Sequence, residues 1–342
     1  VSDQKETIHL SASTPIAVSV IIVAWNSGKV LSKCLGSLEN QTYKDFEVIV
    51  IDNGSTDIDL NALLFTWKKL KLRVHKFEKN HGFAYANNFG VGLSQAFWIV
   101  FLNADAFPRP DWLENLLNSA RHHADFSFFT SRQIQANSPD LLDGAGDEFH
   151  ISGLAWRRYY NQPVELYGLK EQEVFSACAA AALYRREDFL HVGGFDEDYF
   201  AYFEDVDLSF RLRLAGGKCL YVPDAIVHHV GSASTGKSSD FSFYHGHRNL
   251  VWTYFKDMPI FLLLIYLPLH LAMNIYLSLV VLIRQKRNVI LKSKIDAFRS
   301  LPTILKKRKE VQKLRRVSER EIYRVLTKDI FAPRRADRGR SR

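Results

Sequence analysis

VSVIIVAWN (residues 18–26) decides the fold. An unbroken apolar run rich in β-branched residues reads as a strand buried on both faces, as in a parallel sheet. Its polar residues come at the carboxyl end, where open α/β sheets bind ligands. Two further runs repeat the pattern. FEVIVIDNGSTD (46–57) passes from strand into Asp52, Asn53 and Gly54, and AFWIVFLNADAFP (96–108) ends in Asn103, Ala104 and Asp105. Three strand ends therefore deliver polar groups to one edge.

Working outward, strands are expected near residues 18–24, 46–51, 72–77, 97–102 and 126–129, with helices starting near Gly28, Asp57, Phe83 and Pro110. Short right-handed crossovers of this kind build a parallel sheet flanked by helices. From 131 to 173 the pattern breaks into Gly, Asp, Asn and aromatic residues, including LLDGAGDEFHISGLAWRRYY, and reads as a long functional loop. EVFSACAAAALYRREDFL (173–190) returns to a strand of small residues and a short helix. GGFDEDYFAYFEDVDLSFRLRLAGG (193–217) leads into a helix ending at Gly216 and Gly217, and KCLYVPDAIVHH (218–229) closes the domain as a strand. Gly90-Val91-Gly92 is no dinucleotide fingerprint, because it falls within or after a helix pattern and lacks a third glycine.

A chain of 342 residues, 47% hydrophobic and 24% charged, is long enough for one large α/β domain and an appendage. Cys34, Cys178 and Cys219 are far apart and lack metal-ligand spacing, which fits buried thiols in a reducing compartment. VSDQKETIHLSASTP (1–15) is polar, lacks a signal-peptide core and reads as an arm, which places the catalytic part in the cytosol. The net charge of +8 hides a division. Residues 284–342 hold 21 basic and 6 acidic residues, net +15, leaving −7 on residues 1–283.

MPIFLLLIYLPLHLAMNIYLSLVVLI (258–283) exceeds the ~20 residues that span a bilayer. Pro268 leaves two geometries open, a kinked span or helices lying in the interface. The following LPTILKKRKEVQKLRR offers Leu301, Ile304, Leu305 and Val311 to lipid and its cations to anionic headgroups. No nucleic-acid-binding motif accompanies the charge run, so an anionic membrane surface is the expected partner and nucleic acid is not.

VSVIIVAWN, IDNGSTD, NHGFAYANNFG, LNADA, GGFDEDYFAYFEDVDLSFRLRLAG and PDAIVHHVGSAS, in that order, resemble the inverting family 2 glycosyltransferases of the GT-A fold, most of all their bacterial rhamnosyltransferase branch. The resemblance covers residues 18–259. It implies a Rossmann-like, mostly parallel sheet flanked by helices: an arm (1–15), a GT-A domain (16–257) with a nucleotide-binding half (16–130) and an acceptor half (131–257), and a helical membrane-associating tail (258–342). The expected substrates are a dTDP- or UDP-sugar donor and a lipid-linked or glycan acceptor, at the cytoplasmic face of the plasma membrane, peripheral or single-span, with a homo-oligomer open. L-Rhamnose from dTDP-rhamnose is the first choice of donor; UDP-galactofuranose, UDP-hexose and GDP-mannose are the alternatives, and a catalytically silent glycan binder is the rival class.

The resemblance also implies roles. Asp52 would accept from the base N3–H with Ala24, Trp25 and Asn26 against the base; the residue-level alternative is a turn aspartate bonding its own backbone. Asn80, Gly82 and Asn87 would line nucleotide and sugar. Asn103-Ala104-Asp105 stands in the place of a DxD metal motif and keeps its last aspartate, so His229 is the implied second ligand for Mg²⁺ or Mn²⁺. Strand alternation sets Ala225, Val227 and His229 on one face and His228 on the other. Asp205 would be the general base and Glu204 its neighbour toward acceptor or metal. Arg157, Arg158, Arg248 and Asn249 are candidates for phosphate, with solvated surface as the alternative for the first two.

Overall fold

A computed structural model describes residues 16–231, 239–284, 286–329 and 332. The expected arm (1–15) and the last basic residues lie outside the described residues. In chain order the first half comprises β1 (Val18–Ala24), α1 (Gly28–Glu39), β2 (Phe46–Asn53), α2 (Leu60–Thr66), β3 (Leu72–Phe77), α3 (Phe83–Leu93), β4 (Trp98–Leu102), β5 (Ala106–Pro108), α4 (Trp112–His122) and β6 (Phe128–Gln135). The segment expected to be loop is instead largely paired: β7 (Ser138–Gly144), β8 (Asp147–Phe149), β9 (Ala155–Arg157) and β10 (Gln172–Val174). β8, β9 and β10 are three residues each and β7 is rich in Pro, Asp and Gly, so none shows the alternation that marks a strand in sequence. Then follow β11 (Ala181–Arg185), α5 (Arg186–His191), α6 (Glu204–Leu214) and β12 (Cys219–His229). The chain continues into α7 (Asp240–Asp257), α8 (Ile260–Arg284), α9 (Val289–Arg299), α10 (Leu301–Lys313) and α11 (Glu319–Val325).

The main sheet runs β10-β12-β6-β11-β4-β1-β2-β3, with β5 and β7 attached to β12 and β6. β4, β1, β2 and β3 are parallel, and β11 is antiparallel to both β4 and β6. β1 shows why the sheet is doubly covered. Val18, Val20, Ile22 and Ala24 pack with α1 and α4 on one face, while Ile21 joins α3, α5 and α6 on the other. All three cysteines are free and buried.

Residue 257 is no packing boundary. Leu262 and Leu263 of α8, Val311 of α10 and Ile322 of α11 share a cluster with Phe149, Phe175 and Phe210 of the sheet half. Ile304 and Val311, offered to lipid by the sequence, are 1% and 7% exposed and face the protein; Leu305, at 45%, faces outward. The physical reason is the α7 terminus: Arg308 donates to the carbonyls of Phe255 and Met258, and Gln312 to that of Asp257. Those side chains satisfy orphan carbonyls at a helix end and seat α10 by its inner face.

Candidate active site

The carboxyl ends of β1, β2 and β4 open into a cavity of about 390 Å³. Its rim on the sheet side is Val23, Trp25, Asn53, Asn80, Gly82, Asn103, Ala104 and Asp105. Asn80 Oδ1 accepts from Asn53 Nδ2 at 3.0 Å and from Gly82 N at 2.8 Å, so these residues shape one another. Gly82 has φ +90°, and a Cβ there would lie 2.7 Å from the Phe200 ring. Only glycine meets both demands.

Asp52 does not face the cavity; its neighbour Asn53 does. The Asp52 carboxylate is fully buried, accepting from Ser55 N at 2.9 Å and lying 3.3 Å from Lys76 Nζ. It adopts the turn arrangement. Ala24 and Asn26 are likewise outside the lining: Ala24 is buried, Asn26 is exposed and accepts from Thr56 N at 3.1 Å, and Asn87 is buried with its amide on Phe83 O.

Asp105 and His229, paired by the resemblance, lie side by side in the structure. β5 pairs antiparallel with β12, setting Ala106 opposite His229, and Val230 N donates to Asp105 O. His229 is 2% exposed, with Nε2 3.2 Å from Asp105 Oδ1 and 3.3 Å from Asn103 Nδ2. His228 points to the opposite face, half-buried. Nδ1 of His229 donates to Asp143 Oδ2 at 2.7 Å, and Arg157 Nη1 donates to the same oxygen at 2.5 Å. Burial pulls the imidazole pKa down, but the hydrogen bonds and charges of Asp105 and Asp143 overcome it and raise it to about 9. A carboxylate behind a histidine is the arrangement that orients a metal-ligating ring.

The donor set of Asp105 and His229 fits a hard divalent ion that also takes oxygens from a diphosphate. Among the described residues a second group, Asp147, Cys178 and Asp205, brings ligand atoms within 4.8 Å of one another. Burial pushes the Cys178 thiol well above its ordinary value. It stays protonated, and hard ions prefer oxygen, so the Asp105–His229 pair fits the ion better.

Asp205 opens the first turn of α6 and reaches the cavity wall. Its Oδ2 accepts from Ala179 N at 3.1 Å and Oδ1 from Val206 N at 2.9 Å. Desolvation raises its pKa against the pull of these bonds and of Arg157. Glu204, 7% exposed, is raised further by burial and by the Asp205 charge. Its Oε2 has no hydrogen-bond partner among the described residues. A half-open, raised carboxylate and a buried one with an unused oxygen suit proton abstraction.

The loop before α6 is strained and clamped. Phe200, Tyr202 and Phe203 have φ of 64°, 68° and 68°, a region bulky side chains avoid. Phe200 O accepts from Phe83 N at the start of α3. Asn249, fully buried on α7, donates through Nδ2 to the carbonyls of Tyr199, Ala201 and Tyr202 at 3.1, 3.0 and 2.7 Å. Arg248 stacks on Trp252 and donates to Asp198 O and Tyr199 O. Neither lines the cavity; both hold the loop that carries Glu204 and Asp205. Arg158 is also outside, bonded to Tyr159 and Gln172. Arg157 alone of the four candidate phosphate binders faces the cavity.

Sequence reasoning missed Asp143, Asp147, Cys178 and Asn53 as cavity or support residues. Asp143 and Asp147 lay in the segment read as loop, where LLDGAGD was the available signal: acids spaced by small residues where the chain must turn sharply.

This constellation, at the carboxyl edge of a Rossmann-like sheet, defines a glycosyltransferase of the GT-A fold. Residues 19–193 match the model of Glycosyl transferase family 2, and the chain belongs to that family. It is 30% identical over 245 residues to N-acetylglucosaminyl-diphospho-decaprenol L-rhamnosyltransferase of Mycobacterium tuberculosis, a match covering 64% of this chain and 77% of that protein. Among solved structures it resembles GalNAc-T7 with UDP, GalNAc and Mn²⁺, with a TM-score of 0.56 and 19% identity over 71% of this chain and 48% of that one. It also resembles a mannosyltransferase, PcManGT from Pyrobaculum calidifontis, in complex with GDP-Man and Mn²⁺, with a TM-score of 0.54 and 15% identity over 88% and 86% of the two chains. These two likenesses establish the fold.

Proposed function

We propose that the protein transfers a single sugar, L-rhamnose from a dTDP-sugar as first choice, to a lipid-linked acceptor with inversion at the anomeric carbon. The observation that carries this reading is one cavity with Asp205 and Glu204 on one wall and Asp105 and His229 on another. The nucleotide would lie along the β1–β2 end against Trp25, Asn53 and Asn80, in the half formed by residues 16–130. The acceptor would enter past Trp156, Tyr202 and Phe241, in the half formed by 131–257.

Asp205 takes the proton from the acceptor hydroxyl, and that oxygen displaces the nucleoside diphosphate in line, in one step. Base assistance of this kind contributes roughly 10² to 10⁴ in rate. Arg157, tied to Asp143 and facing the cavity, supplies a positive charge beside the base and the leaving group. Asp105 and His229 would hold Mg²⁺ or Mn²⁺, which acts as a Lewis acid on leaving-group charge. Support for rhamnose and for a polyprenyl-diphosphate acceptor comes from the mycobacterial relative, whose name carries both. Such an acceptor supports a site at a membrane, taken in this reading as its cytoplasmic face, and the apolar α8 and the basic tail support membrane association as well.

The test is a donor screen with Mn²⁺ present, using dTDP-rhamnose, UDP-galactofuranose, UDP-hexoses and GDP-mannose with a lipid-diphosphate sugar acceptor. NMR of the product gives the anomeric configuration. Retained configuration would remove the single-displacement mechanism, and no transfer from any of these donors would remove the function.

A further inference from the structure

α8 is long and apolar enough to cross a membrane, with 22% of its most apolar stretch buried in the protein. The buried positions decide its geometry. Leu263, His270, Asn274 and Val281 recur at helical spacing and are each at most 6% exposed, so one stripe is packed along almost the whole helix. The stripe includes polar groups that use the protein. His270 Nδ1 donates to Ser152 O at 2.8 Å, and Lys294 of α9 donates to Asn274 Oδ1 at 2.5 Å. A helix crossing a bilayer would pull these bonds apart and set His270 and Asn274 in hydrocarbon, where unpaired polar groups are expensive.

The opposite stripe is bare. Phe261, Leu264, Ile265, Ile275, Leu279 and Ile283 are 49% to 69% exposed, and no charged residue interrupts α8 before Arg284. α9 continues the surface: Leu291, Ile295 and Phe298 are 46% to 50% exposed, although Ile290, Ser293 and Ala297 already supply its packed face. The cations sit beside this apolar area. Arg284, Lys286, Lys292, Arg299, Lys306 and Lys309 are exposed, while the acid within that span, Asp296, is only partly so. Apolar stripes flanked by exposed Lys and Arg match an anionic bilayer interface, with side chains in the acyl boundary and cations at the headgroups.

We infer that the outer faces of α8 and α9 form a monotopic membrane-docking surface, on which α8 lies in the plane of an anionic leaflet. This deepens the membrane part of the proposed function and fixes the geometry that the sequence left open. It also places the cavity: Trp156, a lining residue, packs in the same cluster as Met273 and Leu277 of α8. The acceptor side of the cleft and α8 therefore pack against one apolar cluster.

The test uses the full chain with single cysteines introduced by Leu264→Cys, Ile275→Cys, Ile283→Cys and Ile295→Cys. The native thiols are buried, so the labels are selective. A polarity-sensitive fluorophore at each site is quenched by lipids brominated at graded depths, in phosphatidylcholine vesicles with and without phosphatidylglycerol. The expected result is the same shallow depth at all four positions, with binding that rises with phosphatidylglycerol and falls with salt. Ile275→Asp with Ile295→Asp should cut vesicle binding at least ~10-fold, and Lys292→Gln should cut it ~5-fold on anionic vesicles, the fold-change of ~1 kcal/mol per cation. A depth that passes from one leaflet through the centre to the other along α8 would overturn the inference, as would fluorophores shielded only by a stable dimer in water. Transfer to a soluble acceptor is read in parallel. Docking without any transfer would defeat the proposed function and leave the surface standing, whereas transfer by a chain whose α8 spans would defeat the surface alone.

Discussion

Replacing Asn249 with alanine tests whether α7 governs the catalytic loop. The amide has two protons shared among three carbonyl oxygens, and its Oδ1 accepts from Arg248 Nε at 2.9 Å. Losing about two net hydrogen bonds at roughly 1 kcal/mol each, with buried carbonyls then unpaired, gives a destabilisation of about 2–4 kcal/mol. The loop holds three bulky residues at positive φ, each storing about 1–2 kcal/mol, so without its clamp it relaxes toward ordinary backbone and carries Glu204 and Asp205 with it. Urea unfolding followed by tryptophan fluorescence in mild detergent measures the first effect, and turnover at saturating donor measures the second. We expect kcat to fall more than ten-fold, since small misplacement of a reacting group is enough, while nucleotide binding at the β1–β2 end changes little. Asn249→Asp, which sets a carboxylate against three carbonyls, should be worse than alanine. A loss under ~0.5 kcal/mol with unchanged kcat would refute the clamp.

Asp205→Asn should leave donor binding near normal and lower turnover by at least ~10²; isothermal titration of the nucleotide sugar separates the two. Asp105→Ala and His229→Ala should each weaken Mn²⁺ binding in a titration, with His228→Ala milder because its ring lies on the other strand face. The raised His229 pKa carries a sign. Its stabilisation of the metal-free protein is fully present below the unfolded value near 6.5 and is lost as pH rises through about 9, an effect of at most about 3 kcal/mol. Chemical unfolding across that window should show it, and Mn²⁺ affinity should rise over the same range as the ring deprotonates. In Asp143→Asn the window should move to lower pH; an unmoved window would remove Asp143 as the ring's support.

What was legible in the sequence was what periodicity encodes. The run at 18–24 could only be a strand buried on both faces, and strand parity alone separated His229 from His228. The partners that complete the site were not legible for the same reason: Asp143 reaches His229 across 86 residues through the β6–β7 hairpin, and its own strand, SPDLLDG, carries Pro, two Asp and Gly and shows no period-2 alternation to announce itself. Asp52 shows the converse. A carboxylate at a strand end is correctly placed at the rim, yet one step of strand alternation turns Asn53, and not Asp52, into the cavity.

The charge division between a −7 body and a +15 tail read as two separable parts. The structure spends part of that division inside the fold. Lys307 of α10 pairs with Asp196 at 2.5 Å and Asp198 at 2.6 Å, and Lys256 of α7 pairs with Asp196 at 2.6 Å and with Asp207. Burial alone would raise Asp196; the two ammonium groups pull it well below the usual carboxylate range. These ion pairs tie the segment before the strained loop to α7 and α10, and none of their residues lines the cavity, so the acids of GGFDEDYF help hold Glu204 and Asp205 in place. Lys294 of α9 and Arg308 of α10 also turn inward, to Asn274 and to the end of α7, whereas Lys292, Arg299, Lys306 and Lys309 are exposed. One helix face of the tail thus belongs to the catalytic architecture and the other to its surroundings, a partition that net charge cannot express because it does not record which way a side chain turns.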